Sequence, residues 1–137
     1  DYETLLSERE FPGLTFAEDD IPKDIMIGTI EKEYEPSKFP HRKIISALMK
    51  NIIESRLAKY FHGSEDTACY ACHHHNPEGK KPIACSSCHG RTSGDDGIRS
   101  GMPGLKSAYH LQCIGCHKAM GIEKLSDCEA CHKKKPE

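Results

Sequence analysis

Four short runs carry the chemistry of this chain: Cys69-Tyr70-Ala71-Cys72-His73, Cys85-Ser86-Ser87-Cys88-His89, Cys113-Ile114-Gly115-Cys116-His117 and Cys128-Glu129-Ala130-Cys131-His132. Each reads C-x-x-C-H, the attachment pattern for a c-type haem. Two thiols three residues apart share one face of a helical turn, from which both can add to the vinyl groups along one porphyrin edge. The histidine that follows lies on the same turn and can put a ring nitrogen on the iron. All eight cysteines of the chain fall in these motifs. A zinc ribbon also uses C-x-x-C pairs, and eight cysteines could form a disulfide framework. Neither requires a histidine after every second cysteine. The motifs therefore predict four covalently bound haem c groups.

The sixth position on each iron needs a second ligand. Of nine histidines, the motifs use His73, His89, His117 and His132. His41, His62, His74, His75 and His110 remain, one more than four irons require. Bis-histidine ligation throughout is the economical reading. Met26, Met49, Met102 and Met120 are the rival donors, although Met49 falls on an apolar helix face and reads as core. A haem with an open sixth position would permit ligand binding or catalysis. In the run His73-His74-His75, successive helical residues differ by about 100° in direction. His74 therefore cannot share the iron of His73 and can reach a second haem, which leaves His75 as the spare.

The elements that position these groups are sparse. The length of 137 residues suggests one domain, read as an acidic arm and strand over 1–36 and a haem-binding core over 37–137. Hydrophobic residues are 36%, with no Trp, four Phe and five Tyr, a lean supply for an ordinary core. The expected fold is mainly α with little regular structure, wrapped around four haems, with a short N-terminal β strand or hairpin. Without haem such a chain is expected to be largely unfolded. Residues 1–24 read as extended or loop, with Phe11, Leu14 and Phe16 as anchors over a haem. Residues 25–30 are β-prone, and 36–40 read as a connection. Ile44, Ile45, Leu48, Met49, Ile52, Ile53 and Leu57 recur at helical spacing and predict one helix over 41–60 that stops near Gly63. Beyond it, short helical turns at the motifs alternate with loops such as 76–79 and 92–97. A second helix is predicted over 106–115.

No apolar run approaches the ~20 residues that span a bilayer. Charge is uneven: residues 1–36 hold eleven acids against three bases, and residues 37–137 ten acids against sixteen bases. Basic residues in the second part offset the eight propionates of four haems. By formal counting the holoprotein runs from roughly −6 oxidised to roughly −10 reduced, which argues against nucleic acid as a partner. Covalent haem is attached outside the cytoplasm, so a periplasmic protein with its export signal removed is expected.

The whole pattern resembles the tetrahaem cytochrome c3 family, most of all its type II, acidic members from sulfate-reducing bacteria. The resemblance runs from Phe39 to His132. It rests on Phe39-Pro40-His41, on C-x-x-C-H-H at Cys69 to His74, and on His110 shortly before Cys113. It implies the ligand pairs His73 with His41, His89 with His74, His117 with His62, and His132 with His110. Two features depart from the usual pattern. Ile44 stands where the family's F-x-H-x-x-H has its second histidine, so His62, beyond an inserted helix, takes that role. Motifs two and four have two intervening residues where many type I members have four. The resemblance further implies an electron carrier, not an enzyme. It would run between a soluble redox partner (hydrogenase or type I cytochrome c3) and a transmembrane redox complex in sulfate respiration. A monomer, peripheral to the membrane at most, is expected. Lys118, Lys124, Lys133, Lys134 and Lys135 form one candidate docking surface and the acidic arm another. The alternative from another class is a small multihaem reductase of metal ions or oxyanions at an open haem.

Overall fold

A computed structural model describes residues 1–7, 14, 16–28, 33–62, 66–77, 79–91 and 101–137. They fall into two compact units that interleave in sequence. Unit one comprises residues 1–25 and 40–82, and unit two residues 26–39 and 83–137.

In unit one the apolar stripe that begins at Ile44 builds α2 (His41–Glu54). Ile45 is its most buried side chain, 7% exposed. The single helix expected over 41–60 is two helices. Ser55 adopts an extended backbone, and its hydroxyl accepts the Ala58 N–H at 3.1 Å, which caps α3 (Arg56–Phe61). A serine that can satisfy a free helix-start donor offers the chain a new beginning, and the apolar spacing alone does not show this. The α3 helix ends at His62, whose N–H donates to the Ala58 carbonyl at 2.7 Å. Gly63 lies outside the described residues. The α4 helix (Thr67–Tyr70) packs on α2.

The acidic arm corrects the loop expected there. Residues Tyr2–Ser7 form α1, and the Asp1 carboxylate accepts the Glu3 N–H at 3.4 Å. Acids at a helix start suit its dipole. Arg56 donates to the Glu3 carboxylate and holds α1 against α3. Farther along, Arg42 donates twice to the Ile21 carbonyl, at 2.7 and 3.1 Å, and lies 3.8 Å from Asp19. Its backbone N–H donates to the Lys23 carbonyl at 3.2 Å. Two arginines thus tie the arm to α2 and α3. Leu14 and Phe16 are half-buried, while Phe11 lies outside the described residues.

The expected strand is present as β1 (Ile25–Ile27), in an antiparallel pair with β2 (Ser37–Phe39). Its partner therefore comes from the stretch read as a connection, where Pro36 and Pro40 flank three residues that alternate in burial. Residues 29–32 are outside the described set. In unit two, a second short ladder joins Tyr34 to Lys134. The Glu35 N–H donates to Lys133 at 2.7 Å and the Lys135 N–H to Glu33 at 3.0 Å. The α5 helix (Leu105–Ala119) is longer than predicted because it takes in the whole third motif. Leu105, 2% exposed, anchors its start through an N–H bond of 2.7 Å to the Gly90 carbonyl. The α6 helix (Cys128–Cys131) packs on β2. The expected loop at 92–97 lies outside the described residues.

The polypeptide's own core is thin. Among the described residues the buried apolar side chains are Ile45, Ala68, Cys69 and Leu105, while Phe61 and Leu111 stay about 70% exposed. No helix among the described residues is long and apolar enough to cross a membrane. Replacing Ser55 with Ala should lower the holoprotein's stability by about 1 kcal/mol in a denaturant titration, and Ser55→Gly by only a few tenths.

Candidate haem-binding sites

The four motifs fold as helical turns. In motif one the His73 N–H donates to the Cys69 carbonyl at 2.8 Å, in motif two His89 to Cys85 at 2.9 Å, and in motif four His132 to Cys128 at 2.8 Å. The third motif is the last part of α5. Each turn therefore brings two cysteines and a histidine round one axis. All eight cysteines are free thiols, from the buried Cys69 to the exposed Cys131, and so are available for thioether bonds.

Tertiary packing adds the second imidazole. In unit one, contact between α2 and α4 places His41, the first residue of α2, opposite His73. Their ring centres are 6.2 Å apart with the planes at 77°. In unit two, His110 on α5 faces His132 beyond α6 at 6.1 Å and 85°. Two imidazoles on opposite sides of one metal, each bonded at about 2 Å, put their ring centres about 6 Å apart. The donor set and its spacing thus fit a haem iron. Packing around His110, then the His132 and Lys106 charges, hold its imidazole below the usual range. That favours the neutral ring an iron ligand must be.

Several of these rings are oriented from behind. His41 Nδ1 lies 3.1 Å from the Pro22 carbonyl, His89 Nδ1 2.8 Å from Pro103, and His117 Nδ1 3.0 Å from Leu125. A carbonyl only accepts, so Nδ1 carries the proton and Nε2 is left as the metal-binding atom. His132 differs: its Nδ1 is buried with no hydrogen-bond partner among the described residues. The remaining expected ligands, His62 and His74, lie in unit one and are exposed. His75, beside His74 at 4.9 Å, has a left-handed φ of 60°.

Two tyrosines at the sites escaped the sequence reading. Tyr109 neighbours Cys85 and lies one helical turn before Cys113 on the α5 helix. Burial first, then Cys85 and Cys113, push its phenol up to about 12. The Tyr34 phenol is raised too, chiefly by the neighbouring Cys128. Both therefore remain O–H donors at neutral pH. Tyr109 could have been found from its i, i+4 relation to Cys113. Nothing local in sequence links Tyr34 to motif four.

Helical turns that each present two thiols and an imidazole, with imidazole pairs spaced for a single iron, define a multihaem c-type cytochrome. The chain belongs to the Class III cytochrome C family, which it matches over residues 40–132. That span contains all four motifs and every expected second ligand. The chain is 48% identical over 134 residues to a high-molecular-weight cytochrome c of Nitratidesulfovibrio vulgaris, covering 96% of this chain and 24% of that protein. It superposes on the nine-haem cytochrome c from Desulfovibrio desulfuricans with a TM-score of 0.78 at 36% identity, covering 98% of this chain and 46% of the other. It superposes on the sixteen-haem cytochrome from Desulfovibrio gigas with a TM-score of 0.77 at 34% identity, covering 99% and 26%. The chain thus spans from about a quarter to just under half the length of these relatives, and its fold is the multihaem, cytochrome c3-like one.

Replacing His41 or His110 with Gly should leave the number of attached haems unchanged and open one iron. Carbon monoxide should then bind the reduced protein at one equivalent per chain, and added imidazole should restore the low-spin spectrum.

Proposed function

We propose that residues 1–137 act as one tetrahaem electron-transfer module. The observation that carries this reading is two pairs of facing imidazoles, His41 with His73 and His110 with His132, each at the separation one iron requires. Motif cysteines Cys69 and Cys72, Cys85 and Cys88, Cys113 and Cys116, Cys128 and Cys131 would hold the four porphyrins. His89 with His74 and His117 with His62 complete the ligand set on the family pattern. The shares of length agree with the count: 46% of a nine-haem chain and 26% of a sixteen-haem chain each correspond to about four haems.

When bound, haem c supplies a one-electron iron couple. The chain's residues do the rest. Paired imidazoles leave no coordination site for a substrate, so exchange with a partner is outer-sphere and the module is not an enzyme. Backbone carbonyls of Pro22, Pro103 and Leu125 fix ring orientation and ligand basicity. Lys118, Lys124, Lys133, Lys134 and Lys135 are all exposed in unit two, which supports transient electrostatic docking there. The partners that suit this reading are a hydrogenase or type I cytochrome c3 on one side and a membrane-bound redox complex on the other. The setting is the periplasm during anaerobic sulfate respiration.

A haem and iron determination on the purified chain should return four of each. The reduced spectrum should be unaltered by carbon monoxide, and the protein should titrate reversibly with a redox mediator. Fewer than four haems, or carbon monoxide binding to the unmodified protein, contradicts the proposal.

A further inference from the structure

Tyr34 touches both halves of the fourth motif. Its ring lies 5.5 Å from that of His132, tilted 46°, and its hydroxyl neighbours the Cys128 sulfur, the group that most raises its phenol. The contact is built in. Tyr34 bridges Lys134 in an antiparallel ladder, with backbone hydrogen bonds on either side and Lys133 4.0 Å from the Glu35 carboxylate. The residue after the motif histidine is thus zipped to the residue after Tyr34. Among the described residues His132 also has no counterpart to what orients His41, His89 and His117, a carbonyl acceptor on Nδ1. A ring packed against it is the restraint present in its place.

We propose that Tyr34 is a positioning residue for the haem of motif four: its ring limits rotation of the His132 imidazole, and its hydroxyl, aimed at the Cys128 sulfur, favours the reduced state. The inference rests on motif four holding a haem. A sulfur already bonded to a porphyrin can only accept, so the tyrosine O–H is the chemically suited neighbour. The positive end of that dipole points toward the redox centre and stabilises an added electron. Without a carbonyl on Nδ1, His132 is also the less basic ligand, which acts in the same direction.

The test uses the full-length holoprotein, with each haem's reduction followed through its own haem-methyl NMR signals. His110→Met marks the fourth haem by raising its potential. Tyr34→Phe should keep the haem count at four and weaken reduction of that haem about threefold, ~28 mV for a one-electron couple, with the other three unmoved. Tyr34→Leu should add a change in that haem's low-spin EPR g values, because the ring restraint is gone. Lys135→Pro removes the ladder N–H without touching Tyr34, and Lys135→Ala removes the same charge while keeping that N–H. Lys135→Pro should lower the same potential further than Lys135→Ala, and the comparison decides the matter if the Tyr34 variants do not assemble; equal shifts overturn the role of Tyr34. An unchanged fourth potential, or equal shifts in all four, overturns the role of Tyr34 while leaving the four-haem reading intact. Absence of haem on motif four in the unmodified protein overturns both.

Discussion

The structure depends on imidazoles that face each other at the spacing two ligands of one iron would take. At 6.2 Å for His41 and His73 and 6.1 Å for His110 and His132, the rings are too far apart to bond one another and correctly spaced to share an iron. Each pair joins an element near a motif to one distant in sequence: α2 to the turn after α4, and α5 to the turn after α6. A shared haem iron there would close a long loop, as a disulfide does, and would bring in a large apolar plate. The chain has little else to bury. Four apolar side chains are buried among the described residues, and with so few, conformational entropy would dominate the bare polypeptide.

The rest of the fold serves those rings. Arg42 grips the Ile21 carbonyl, and the neighbouring Pro22 carbonyl meets His41 from behind. The acidic arm is therefore part of the support of the proposed ligand His41 as well as a source of negative charge. The start of α5 does the same for motif two: the Pro103 carbonyl meets His89, and Leu105 bonds back to Gly90. The 3-10 turn over Glu123–Leu125 offers the Leu125 carbonyl to His117. Loops without regular structure thus carry their backbone oxygens to defined places, which is why so little helix or sheet is needed.

The motifs were fully legible in the sequence because thioether attachment requires contiguous residues. The apolar stripe of α2 was legible for the same local reason. The break at Ser55 was not, since a single capping hydroxyl leaves the periodicity intact. Strand β2 was hidden by its flanking prolines, and α1 by an acidic composition that becomes helical with Asp1 at its start and Arg56 on Glu3. Second ligands were legible as a pool of spare histidines, but which ring faces which depends on tertiary packing. Family resemblance supplied the four pairs proposed, of which His41 with His73 and His110 with His132 face each other. The carbonyls behind the rings had no signal at all, because every residue carries one. Tyr34 was likewise invisible, since its neighbourhood is made by a ladder to the far end of the chain.

The central claim is that the porphyrins form the interior, and it can be tested by taking them out. Haem is cleaved from the cysteines with a silver salt, the thiols are recovered under reducing conditions, and far-UV circular dichroism is followed through a thermal scan. The account predicts loss of most of the helical signal and of any cooperative transition. A haem-free chain that kept its helicity and melted cooperatively would contradict it.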